Sequence, residues 1–158
     1  MPAFRTLHAG LGHVAVKLHN LFRAEITLGV RLLALDAEGR VFLVRHSYFP
    51  GLHLPGGGVD LGETCRQAAE REAREEGGLL LPEPPALFHL YWNPIAIRRD
   101  HIALFVARGV RQAGPRPRSL EILAAGFHDV DALPPDITDA TRRRLAEVVG
   151  GAPPSDRW

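Results

Sequence analysis

The chain has 158 residues, 46% of them hydrophobic and 23% charged, with a formal net charge of +1. That length and apolar content suit one domain with a substantial core, and the charged share is that of a folded protein rather than a disordered one. Near-neutral charge excludes a general electrostatic pull toward nucleic acid or membrane surfaces, and the lone Cys65 excludes an internal disulfide.

Taken in chain order, the first stretch is broken by Arg5, His8, His13 and Lys17, so it lacks the continuous apolar core of a signal peptide. No apolar run approaches the ~20 residues of a membrane-spanning helix. With the single cysteine, this leads to the expectation of a cytoplasmic protein that does not insert in a membrane. Val14, Leu18, Leu21 and Phe22 recur at spacings of three and four, which predicts a short amphipathic helix over residues 12–23, packed on the domain. ITLGVRLLALD and VFLVRH, separated by AEG, read as two strands joined by a tight turn. SYFPGLHLPGGG is a loop punctuated by proline and glycine.

A well-specified helix follows, from Thr64 to Glu76. Thr64 and Gln67 form a capping box, and Gly77-Gly78 supplies the stop. ALFHLYW and HIALFVARGV then read as strands, RQAGPRPRS as a basic loop, GFHDV as a short strand and DATRRRLAEVV as a last helix. Residues 1–150 are expected to form one domain, with 151–158 a loose tail.

The helix carries an unusual charge pattern. Glu72, Glu75 and Glu76 lie at i, i+3 and i+4, so their carboxylates project from one face. Like charges at these spacings each destabilise a helix by roughly 0.2–0.5 kcal/mol, and solvated faces normally alternate sign, as Glu70 and Arg74 do. A hard divalent cation turns that repulsion into attraction, and Mg²⁺ favours carboxylate oxygens together with phosphates. The competing reading is a charged surface with no ligand. Gly56, Gly57 and Gly58 just before the helix let backbone N–H groups approach a bound anion, although a glycine run also serves an ordinary turn.

Residues 57–79 resemble the Nudix box, G-x5-E-x7-R-E-U-x-E-E-x-G-U, with U aliphatic. Gly57, Glu63, Arg71-Glu72, Ala73, Glu75-Glu76 and Gly78-Leu79 fill every fixed position. The order of elements around the box is also similar to a whole Nudix domain, although Leu52 stands where relatives often carry Trp. The resemblance implies an α/β fold, the Nudix-type α/β/α sandwich with a mixed β-sheet. It further implies a pyrophosphohydrolase that uses Mg²⁺ (or Mn²⁺) to cleave a phosphoanhydride in a nucleoside diphosphate linked to another group. By the same resemblance Glu72, Glu75 and Glu76 are metal ligands, joined by the Gly57 backbone. Glu63 is a supporting ligand or stands behind them, and Arg71 is a structural partner of the carboxylates.

Family members often place the general base outside the box, and Glu121 is the candidate here; a plain surface glutamate is the alternative. Tyr48 and Trp92 are candidates to stack a base, and Arg98 and Arg99 to reach phosphates. Aromatics at strand ends and arginines at a turn also occur without any ligand. Pro94 lies 15 residues beyond Leu79, a spacing similar to that of ADP-ribose-cleaving relatives. That favours nucleotide sugars or dinucleotides over nucleoside triphosphates. A non-catalytic nucleotide-binding module is the rival from another class, but such modules tend to lose the box acids that this chain keeps. Arg116, Arg118 and Arg142 to Arg144 fit solvated surface better than an RNA site, so the expected partner is a small nucleotide. A homodimer is left open.

Overall fold

The computed structural model describes residues 26–94, 99–114 and 120–158. The expected helix over residues 12–23 and Arg98 lie outside them. Among the described residues, seven strands and two helices follow in the order β1 (Ile26–Ala34), β2 (Val41–His46), α1 (Cys65–Gly77), β3 (Leu79–Leu80), β4 (Ala86–Asn93), β5 (Arg99–Ala107), β6 (Arg111–Gln112), β7 (Ile122–His128) and α2 (Asp139–Val148). β5 lies between β1, its parallel partner, and β4, its antiparallel one, so the main sheet is mixed.

β1 and β2 do not make the regular hairpin expected from their spacing. They meet at one bridge, Leu35 to Val41, after which β2 pairs antiparallel with β7. The turn itself is well formed. The Asp36 carboxylate accepts from the Glu38 and Arg40 N–H groups at 3.0 and 2.8 Å, and from Arg40 Nε at 2.7 Å. Tertiary pairing, not the turn, decides where the two strands go.

Alternation along β1 and β2 divides the core. Val30, Leu32, Ala34, Phe42 and Val44 point one way, onto Ala68, Ala69 and Ala73 of α1. Leu33, Leu35, Leu43, Leu104 and Tyr91 point the other way, onto Leu145 of α2. The helices thus cover opposite faces, as the expected sandwich requires. α1 is held by its capping box and by Gly78 at φ 60°, where glycine is free to adopt the left-handed region. Among the described residues no helix is long and apolar enough to cross a membrane.

The end of the segment 151–158 reaches back to β4. Trp92 N–H donates to Asp156 O at 2.8 Å, and Trp158 N–H donates to Trp92 O at 2.9 Å. The Trp158 ring meets Tyr91 edge-on at 5.4 Å, and the buried Arg144 guanidinium lies 3.9 Å from the centre of the Tyr91 ring. Composition made this segment look unstructured; its terminal tryptophan and the open edge of β4 give it a docking place.

Candidate active site

The segment 55–59 runs along the outer edge of β1. Leu32 and Val30 donate to Pro55 O and Gly57 O at 2.8 and 2.9 Å, and Val59 donates back to Leu28 O at 3.2 Å. This fixes the glycines between β1 and the acidic face of α1. Gly56 sits at φ 148°, with its N–H donating 2.8 Å to Glu76 Oε2. Gly57 lies against the Glu72 carboxylate so closely that a Cβ there would overlap it.

Arg71 organises the remaining acids. It donates to both oxygens of Glu63 (3.0 and 3.1 Å), to Glu72 Oε1 (2.6 Å), to Glu75 Oε2 (3.3 Å) and to Gly58 O (2.9 Å). Its hydrogen bonds to Glu63 and then to Glu72 hold its guanidinium charged, pushing its pKa up. Glu72 and Glu76 are buried, whereas the Glu75 side chain is 56% exposed. Among the described residues, no group of three His, Cys, Asp or Glu side chains is gathered around one point as metal ligands in this arrangement. The donor chemistry nonetheless fits a hard divalent cation: three carboxylates on one helix face, beside the room left by the bare Gly57.

The glycines also form one wall of a cleft of about 350 Å³, lined by Thr27, Gly29, Arg31, His46, Tyr48, Phe49, Asn93 and Asp100 among others. Arg31 Nη1 donates to Leu54 O and Gly56 O at 3.0 and 2.9 Å. Burial lowers the Arg31 pKa, opposed by the nearby Glu76 and Glu72 charges. His46 is buried, its Nε2 3.5 Å from Glu76 Oε1. Burial, then the charges of Arg31 and His53, push it down to about 4, so its imidazole is neutral at pH 7.

The sequence candidates divide accordingly. Tyr48 lines the cleft, its ring 5.3 Å from His46 and 4.9 Å from Phe49. Burial raises the Tyr48 pKa, and the Glu121 carboxylate adds to the effect. Glu121 is exposed immediately before β7, where its carbonyl accepts from Ser47 N–H at 2.8 Å. The candidate base therefore stands on the same rim as Tyr48. Trp92 is not brought to the cleft. Strand alternation sends Tyr91 and Asn93 to the cleft side of β4 and Trp92 to the opposite side, where Arg157 lies 5.2 Å over its ring. Arg99 begins β5. Sequence reasoning passed over Arg31, His46, Asn93 and Asp100. The available signal for Arg31 was a lone charge inside an apolar strand run, GVRLLAL.

The NUDIX domain pattern matches residues 25–148. The chain belongs to the NUDIX family. A Methanocaldococcus jannaschii protein named "ADP-ribose pyrophosphatase" is 32% identical to this NUDIX chain over 108 residues, which is 63% of the chain and 60% of that relative. A Bacillus subtilis (strain 168) protein named "Putative 8-oxo-dGTP diphosphatase" is 40% identical over 52 residues, 33% of the chain and 35% of that relative. The chain thus spans less than two thirds of the length of either relative. Among solved structures, the MutT NUDIX hydrolase from Burkholderia pseudomallei superposes with a TM-score of 0.63 at 26% identity. That match covers 78% of this chain and 98% of the other.

Proposed function

We propose that this NUDIX chain is a divalent-metal-dependent pyrophosphohydrolase acting on a nucleoside diphosphate linked to another moiety, such as ADP-ribose. The observation that carries the reading is the meeting of Glu72 and Glu76 with the Gly56–Gly58 segment, which also forms a wall of the cleft, while Glu75 is held beside them through Arg71. Glu72, Glu75 and Glu76 would hold the cation, with the Gly57 carbonyl beside them, and Mg²⁺ or Mn²⁺ suits these oxygens. Bound there, the metal supplies positive charge to the diphosphate oxygens and acidifies water.

The chain's own groups do the rest. Arg31, fixed by two backbone carbonyls, presents a cation to the phosphate nearest the nucleoside. Arg71 keeps the carboxylates from repelling one another before substrate arrives. Glu121 takes the proton of the attacking water as its oxygen bonds to phosphorus and the bridging P–O bond breaks, giving two phosphomonoesters. Tyr48 stacks on the base from the rim. The name of the M. jannaschii relative supports a nucleotide-sugar substrate.

The name of the B. subtilis relative favours a second reading, hydrolysis of nucleoside triphosphates. Both substrate kinds share the anhydride, so contacts outside the box decide between them. The test compares kcat/KM for ADP-ribose, a diadenosine polyphosphate and the common nucleoside triphosphates, with Mg²⁺, with Mn²⁺ and with chelator. Loss of all turnover in chelator is expected. A triphosphate favoured tenfold or more, about 1.4 kcal/mol of transition-state preference, overturns the substrate assignment and keeps the hydrolase. Metal-independent turnover overturns the hydrolase mechanism.

A further inference from the structure

The cleft carries charged groups at both ends of its run along β1. At one end Arg31 lies beside the Glu72 and Glu76 charges. Four residues back along the strand, about 13 Å at the rise of an extended chain, is Thr27. There the Thr27 hydroxyl donates to Asp100 Oδ1 at 2.6 Å, and Asn93 Nδ2 donates to Asp100 Oδ2 at 2.8 Å. Thr27 and Asn93 are the register partners of Asp100 on β1 and β4. All three strands of the main sheet therefore hold this carboxylate in one orientation.

We propose that Asp100 is a specificity-determining residue, which accepts a pair of hydrogen-bond donors from the nucleoside part of the substrate. The inference rests on the cleft being the substrate site of the hydrolase proposed above. Each carboxylate oxygen has two acceptor positions. Thr27 and Asn93 take one on each oxygen, and among the described residues no cation pairs with Asp100. Two parallel acceptors remain in capacity, facing a cleft. A phosphate is repelled from that end by the like charge; at the other end Arg31, together with a cation held by Glu72 and Glu76, would receive it.

Between the two ends the floor is Gly29, where a Cβ would lie in ordinary contact with the Gly57 carbonyl oxygen at 3.4 Å, leaving the bare backbone as the surface. Tyr48 and Phe49 stand on the rim, their rings 4.9 Å apart. A flat ring fits against that floor and those aromatics. The paired donors come from one of two sources, the amide and amino N–H groups on the edge of a guanine-type base or the cis-diol of a ribose. Adenine offers an acceptor beside its amino group and does not match a bidentate carboxylate.

The test is calorimetric binding of GMP, AMP and their 2′-deoxy forms, with Mg²⁺ present, to the full chain and to Asp100→Asn, which keeps the shape and removes the charge. A loss of about tenfold in Kd is expected. If the base is read, GMP alone loses affinity. If the sugar is read, GMP and AMP lose it together and the 2′-deoxy forms already bind weakly to the unmodified chain. Losses under threefold for both GMP and AMP overturn the proposal, as does failure of the unmodified chain to bind either. Thr27→Val removes an anchor and keeps the carboxylate, so it should lower the melting midpoint while costing less affinity than Asp100→Asn. Equal affinity losses in the two variants overturn direct recognition in favour of a structural role. In steady-state assays Asp100→Asn should raise KM by more than it lowers kcat. Binding without hydrolysis of any diphosphate overturns the hydrolase and leaves the role of Asp100 standing.

Discussion

Adding one methyl group at each of three consecutive glycines should produce three different outcomes, and Gly57→Ala is the informative one. Its new Cβ would overlap Glu72 Oε1 and stand 3.0 Å from Glu72 Cδ, where ordinary contact begins near 3.4 Å. The obstacle is the end of a flexible side chain, so the carboxylate retreats by about 1 Å. An off-rotamer side chain costs about 0.5–1.5 kcal/mol, offset by about 0.4–1 kcal/mol from the stiffer unfolded chain. Net stability therefore changes by under about 1 kcal/mol. A positioned group moved by about 1 Å costs about 100-fold in rate, so kcat/KM should fall by about that factor, or about 2.7 kcal/mol. Gly56→Ala differs because its Cβ would run into the Val30 carbonyl and Arg31 Cα, which are backbone, at a φ of 148°. It should cost about 3 kcal/mol or more in folding. A Cβ on Gly58 meets nothing within 4 Å, so Gly58→Ala should change stability by no more than about 0.5 kcal/mol and leave the rate near its original value. Urea denaturation and Mg²⁺-dependent kcat/KM on the best substrate read the two effects separately. Gly57→Ala with full activity would refute the claim that the Glu72 carboxylate must sit where Gly57 leaves room.

Glu75→Gln and Glu76→Gln should each lower turnover by orders of magnitude without unfolding the chain, since each removes one anionic ligand and keeps its shape; near-normal turnover of both at low Mg²⁺ would count against the ligand set. Burial raises the Asp36 pKa, but the Arg40 backbone and guanidinium and the Glu38 N–H outweigh it, leaving the pKa below 3.8. A carboxyl depressed in the folded state contributes stability that is present above its unfolded pKa and lost as pH falls through its folded one. Asp36→Asn should therefore cost about 1–2 kcal/mol at neutral pH and flatten the acid limb below about pH 4, read by denaturation at stepped pH. Trp158→Ala should lower stability by about 1–3 kcal/mol in thermal unfolding, because it uncovers Tyr91 and the buried Arg144; an unchanged midpoint would mean the tail contributes nothing.

The acidic helix was legible in the sequence because its information is local. The capping box at Thr64 and Gln67, the stop at Gly78 and the carboxylates at i, i+3 and i+4 depend only on residues within a few positions of one another, and the helix runs from Cys65 to Gly77 as that spacing requires. The main strands were legible for the same reason, through alternation and turn residues. What the sequence left undecided was which distant pieces meet. The turn at Asp36 forms locally, yet β1 pairs with β5 and β2 with β7, because ladder hydrogen bonds and buried faces outweigh the proximity of the two strands. Which side of β4 faces the cleft depends on register with β5, a non-local quantity that turned Trp92 outward and brought in Asn93. Arg31 and Asp100 stand 69 positions apart in the sequence, and only the parallel pairing of β1 with β5 places them at opposite ends of one cleft. The acidic helix was written in one segment, whereas the cleft beside it is assembled from strands, a loop and a glycine edge that only the folded sheet brings together.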